Sequence, residues 1–214
     1  MNMRMFCTVV FVAGLLTTGV SPANAYPVTF EFSGTINSIG DSHGLLDGSV
    51  VLGTPFAGSV TFESTMTDDL PDDPHQGVYT SAGTPSSISM ALTVGSYRFA
   101  GGGGDVLVQD FSDKDTLRVR TNDFASEGFF IAEMGVRFGD FDGTALASDA
   151  LPMIPPVLAL CEIRSLYLRG EEAGAPSFTL GGTVATLTPE PISIAALAIG
   201  GLVLLPHRRR ICRR

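Results

Sequence analysis

The sequence predicts an all-β fold for residues 26–188: an antiparallel β-sandwich, of which a jelly roll is one form. Three observations predict it. Apolar and polar residues alternate at every second position through most of that span. Gly, Pro, Asp and Ser separate the alternating runs. No stretch between the runs carries a helical period. The apolar segments that flank the span predict an N-terminal signal helix and a C-terminal transmembrane helix.

The strands follow from the alternation in order. Val28, Phe30, Phe32 and Ile36 share a face, opposite Thr29, Glu31, Ser33 and Thr35. Val60 and Phe62 alternate with Thr61 and Glu63. Ile88, Met90, Leu92 and Val94 alternate with Ser89, Ala91 and Thr93, and Gly95-Ser96 suits a two-residue hairpin turn into Tyr97-Arg98-Phe99. Val106–Asp110 is a further run, and Leu117 and Val119 alternate with Arg118 and Arg120. Phe130, Ala132, Met134, Val136 and Phe138 make one longer strand. Cys161–Leu168 and Ser177–Leu187 complete eight or nine strands, with phase breaks near Ser165 and Gly181-Gly182 that predict bulges. Ala100–Gly104 and Gly139–Pro156 are the long loops. A closed barrel is the main alternative. A lipid-facing barrel is disfavoured by the Glu, Arg and Asp at outward positions.

Composition excludes several function classes. The chain has 214 residues, 22 acids against 13 Lys and Arg, and a formal charge of −9. No basic patch of the nucleic-acid-binding kind is expected, so no nucleic-acid partner is. All 22 acids and only seven basic residues lie between Tyr26 and Pro191. Five arginines, Arg208, Arg209, Arg210, Arg213 and Arg214, crowd the other end of the charge scale into the last seven positions.

The first 25 residues read as a signal peptide. Arg4 precedes the apolar run Phe6–Val20, and Ala23-Asn24-Ala25 supplies the small-x-small cleavage pattern at Ala23 and Ala25. Tyr26 is then the expected mature N-terminus. Export leaves Cys161 as the ectodomain's sole thiol, since Cys7 lies in the signal and Cys212 in the tail. Its stability is expected to come from a core rather than a disulfide. Cys161 itself reads as a small buried apolar side chain.

Residues 189–214 combine three features. Pro189, Glu190 and Pro191 form a rigid lead-in; residues 192–205 carry no charge; the arginine cluster closes the chain. Pro191 suits a first helical turn. Fourteen residues rise about 21 Å as a helix, short of about 30 Å of hydrocarbon, a gap that snorkelling arginines and local thinning narrow. The positive-inside bias puts the arginines in the cytoplasm, as a stop, and residues 26–188 outside. In this order and at the chain end, these residues resemble the PEP-CTERM sorting signal of exopolysaccharide-producing Gram-negative bacteria. Thr188 stands where a small apolar residue is more common, and Pro206-His207 interrupts the approach to the arginines. The resemblance implies recognition by an exosortase, a membrane-embedded cysteine protease-transpeptidase, with cleavage near Pro189–Pro191. It also implies a precursor tethered in the inner membrane, then release to the cell surface or the extracellular polysaccharide matrix of a biofilm. A plain membrane anchor is the competing reading of the same residues.

The richest acidic loop is Asp68-Asp69-Leu70-Pro71-Asp72-Asp73-Pro74-His75. Hard cations prefer oxygen ligands on such loops, so Asp68, Asp69, Asp72 and Asp73 are the candidate metal ligands, with calcium as the ion. Turn chemistry is the competing reading. Asp110, Asp113 and Asp115 form a second cluster, Asp140 with Asp142-Gly143 a third, and Asp41 with His43 a fourth. Convergence of two such loops would strengthen a cation site. No nucleophile elbow, zinc signature or phosphate loop is present, so no catalytic residue and no cofactor beyond calcium are expected. The expected role is non-enzymatic, structural or binding, with exopolysaccharide a candidate partner. The alternatives are a secreted matrix-polysaccharide hydrolase and a calcium-dependent carbohydrate-binding or adhesion module.

Overall fold

The computed structural model describes residues 25–81, 86–126, 129–171 and 177–190. The expected signal residue Ala23 and the tail from Pro191 onward, with its helix and arginines, lie outside the described residues. Among those described, the chain is all-β. The strands are β1 (Pro27–Gly40), β2 (Pro55–Glu63), β3 (Gln76–Thr80), β4 (Ile88–Val94), β5 (Tyr97–Gly102), β6 (Asp105–Phe111), β7 (Lys114–Thr121), β8 (Asp123–Ser126), β9 (Phe129–Asp140), β10 (Ile163–Glu171) and β11 (Ser177–Pro189). Every pairing is antiparallel, in the order β10-β11-β1-β2-β4-β5-β8-β9-β7-β6-β3. No helix among the described residues is long and apolar enough to cross a membrane.

The layering differs from two stacked sheets. One sheet curls into a half-barrel, and β10 also pairs with β9 along Ile163–Glu171. The cause lies in β5 to β9. β7 and β8 are successive pieces of one path and both pair with β9, while β5 and β6 pair with β8 and β7 respectively. The chain therefore turns a corner at Gly103-Gly104. Gly104 has φ +93°, and an added Cβ there would meet the Arg120 carbonyl. The bend lets a single run of strands cover both sides of one core.

The alternation predicts most of the core; Ala132, expected on the inward face of β9, is exposed because it is the extra residue at the β9–β10 register shift. Phe30, Phe62, Phe99, Phe138, Phe178, Ile36, Ile88, Leu92, Leu117, Met134, Leu166 and Leu168 are fully buried. Phe30 meets Phe62 edge to face at 5.4 Å, and Phe99 tilts against Phe178 at 6.5 Å. Each such ring or branched side chain contributes about 1.5–3 kcal/mol by leaving water. The irregularity expected at Gly181-Gly182 falls on the partner strand instead: Asn37 of β1 is the extra residue opposite them, and the extra residue of β11 itself is Ala185, between Val184 and Thr186. The irregularity of β10 falls at Arg169/Gly170 rather than Ser165. Cys161 breaks phase because it precedes the strand, closing a 3-10 turn over Leu158–Leu160.

Both ends of the domain leave from one side. Tyr26 precedes β1, and β11 ends on Pro189, paired with Phe30, after which the Glu190 N–H donates to the Thr29 carbonyl at 3.1 Å. Pro189, expected as the start of the lead-in, thus completes a strand of the sheet.

Candidate functional site

Two of the sequence's acidic clusters meet. Asp110, Asp115 and Asp140 are successive cross-strand partners on β6, β7 and β9. They continue the inward positions Val106/Val108, Leu117/Val119 and Val136/Phe138, and so form an acidic row where the apolar core ends. Asp115 and Asp140 are 0% exposed.

The two buried carboxylates differ in their partners. Oδ1 of Asp140 accepts the N–H of Asp115 (3.2 Å) and Gly143 (2.9 Å). Oδ2 accepts the N–H of Thr144 (2.9 Å) and Ala145 (2.7 Å), with the Thr144 hydroxyl at 3.3 Å. Gly143 makes the tight loop feasible with φ +67°. Burial pushes the Asp140 pKa up, but the N–H bonds of Thr144, Gly143, Asp115 and Ala145 outweigh it and hold the group below its ordinary value. Asp115 Oδ2 accepts the Leu146 N–H at 2.7 Å, and among the described residues its buried Oδ1 has no hydrogen-bond partner. Burial raises its pKa against that bond, and the charges of Asp140 and Asp110 add to the rise.

Chemically, Asp140 is a clamp on the loop that follows β9: its lone pairs are occupied by backbone and hydroxyl donors. Of these two buried carboxylates, the oxygen without a hydrogen-bond partner among the described residues is Asp115 Oδ1. Cys161 lies nearby, 3% exposed, with its thiol pushed up to about 11 by burial and then by the Asp140 charge. At neutral pH it is a thiol in an apolar niche, not a thiolate nucleophile.

The Asp68–Asp73 loop is arranged otherwise. Asp68 Oδ1 accepts the N–H of Leu70 and of Val78, both at 2.9 Å, so it starts a turn and caps the free edge of β3. Asp73 Oδ1 accepts the His75 N–H at 3.0 Å. Asp69, Asp72 and Asp73 line an open cleft of about 450 Å³ together with Leu70, Pro71 and Pro74. His75 turns away from it, Nδ1 lying 3.1 Å from the Asp110 carbonyl and the ring stacking on Phe111. Asp41 accepts the N–H of Leu45 (2.9 Å) and Leu46 (2.8 Å), which makes it a turn residue. Among the described residues, no three His, Cys, Asp or Glu side chains are grouped to hold a metal ion.

One polar cluster was not legible in sequence. On the outer face, Asp105 binds Arg118 (Oδ1 to Nη2, 3.2 Å) and binds Arg120 through Nε (2.9 Å) and Nη2. Arg120 also faces Glu133 at 3.5 Å, and the Tyr167 hydroxyl donates to Glu133 at 3.3 Å. Burial, then the Glu133 charge, raises the Tyr167 pKa. The alternation places Arg118 and Arg120 outward, but only cross-strand register brings Asp105, Arg137 and Tyr167 to them. Comparison with protein families, curated proteins and solved structures finds no match to the chain.

Proposed function

We propose that the chain is a non-enzymatic exported protein. An exosortase-type protease sorts it from an inner-membrane precursor to the cell surface or polysaccharide matrix, where it has a structural or binding role. The observation that carries this reading is the order at the chain end: Pro189-Glu190-Pro191, an uncharged apolar segment over 192–205, then five arginines. The fold supports it in one respect. Glu190 bonds to Thr29 near the start of β1, the strand that Tyr26 precedes, so an apolar segment before Tyr26 and another after Glu190 can engage the same bilayer.

The close carboxylate pair Asp115–Asp140 suits this reading better than hydrolysis. An acid and a base acting on a sugar need access to substrate. These two are closed to solvent, and one of them is bonded throughout to backbone and hydroxyl donors.

Fractionation of producing cells tests the reading. Full-length protein is expected with the matrix polysaccharide, and a chain lacking its last 26 residues in the periplasm. Equal distribution of the two chains would remove the sorting role from the tail.

A further inference from the structure

The acidic body carries a compact cationic patch on its outer face. Arg118 on β7 and Arg137 on β9 are direct cross-strand partners, so their side chains stand next to each other on one face. Like charges in that position repel unless an anion lies between them. Arg118 gives one nitrogen to Asp105, but Arg137 has no ion-pair partner among the described residues. The Nε atoms of both arginines are buried and, among the described residues, without a hydrogen-bond partner. With Nε closed off, a ligand oxygen would be met by the other guanidinium nitrogens, the Arg118 side chain being 33% exposed. Arg118 also borders a cleft of about 440 Å³ between β3, β6 and β7, lined besides by Thr80, Asn122, Arg120 and the Asp105 carboxylate paired with both arginines of β7; Arg137 stands beside Arg118, outside that lining. That volume is in the range of small-ligand sites.

We propose that Arg118 and Arg137 bind the carboxylate of an acidic sugar, a uronate, whose hydroxyls reach Thr80 and Asn122. Planar guanidinium groups match a carboxylate, as Asp105 already illustrates at Arg118 and Arg120. The hydroxyl- and amide-bearing rim suits a sugar. The excess of acids over bases elsewhere in the domain repels densely charged polyanions, so a chain with sparse carboxylates is favoured over polyphosphate or nucleic acid. The inference rests on the matrix-associated reading above for its ligand class.

Calorimetric titration of the full chain in detergent micelles tests it. The probes are an oligosaccharide ending in glucuronate, its counterpart ending in glucose, and inorganic phosphate. The glucuronate oligosaccharide is expected to bind, and the glucose form to bind roughly tenfold weaker or less. Arg137→Gln is expected to lose roughly tenfold in affinity with an unchanged melting midpoint, and Arg137→Lys, which keeps charge without the fork, to lie between. Equal affinity for the two oligosaccharides, unchanged affinity in Arg137→Gln, or displacement of the sugar by equimolar phosphate would overturn the proposal. Cell fractionation of Arg137→Gln keeps the two readings apart, because sorting depends on the tail and not on this residue.

Discussion

The Asp68–Asp73 loop holds four carboxylates within six residues, and the Asp115–Asp140 pair holds two that are 25 residues apart. The dense cluster is spread over an exposed turn. The sparse pair is closed off from water at the end of the core. In the dense cluster Asp68 and Asp73 brace a turn, whereas cross-strand register decides which carboxylates of the sparse pair act on each other.

Substitutions sharpen that contrast. Asp140→Ala should have the largest effect, a loss of about 3 kcal/mol, because it strands several buried N–H groups at once. Denaturant unfolding measures it, and a loss below about 1 kcal/mol would mean the loop closes without its clamp. Asp68→Ala should cost about 1 kcal/mol through its two N–H bonds, one of which guards the β3 edge. Loss of monomer on sizing columns would accompany it if that edge pairs between copies.

Asp115→Asn should act in the opposite direction. The amide keeps the acceptor for Leu146 and turns the orphan oxygen into a donor, a gain on the order of 1 kcal/mol at neutral pH. Its pH dependence follows from the raised pKa. Wild-type stability falls as pH rises from 3.8 through the folded-state value, where Asp115 ionises in a desolvated site. The Asn variant lacks that fall, so its advantage should be present at pH 7 and absent at pH 3. Asp140 contributes the reverse trend: its stabilisation is present above 3.8 and lost as pH falls through its lowered value. An Asp115→Asn chain less stable than wild type at pH 7 would contradict this assignment. Asp72→Asn, on the exposed turn, should leave the melting midpoint unchanged without calcium, and a calcium-dependent shift of the wild type that it abolishes would establish the cation reading of that loop.

Much of the fold was legible because alternation has a fixed period. It correctly assigns Phe30, Ile88, Leu92, Leu117 and Phe138 to the core. β3 escaped it because Gln76–Thr80 is a short edge strand whose Gly77 and Tyr79 give a weak apolar signal. β8 has only four residues. The curl was not legible either, since it depends on β7 and β8 dividing the partners of β9. For the site, the residues of the acidic row were visible as fragments, but their meeting depends on register. The Arg118–Arg137 pair was hidden for the same reason: 19 positions separate two residues that the β7–β9 ladder sets side by side.

Mass spectrometry of the protein recovered from the cell exterior goes most directly to the matter. A polypeptide beginning at Tyr26 and lacking Arg208–Arg214 is the result this reading requires. A surface-exposed chain that still carries both Met1 and Arg214 would contradict it.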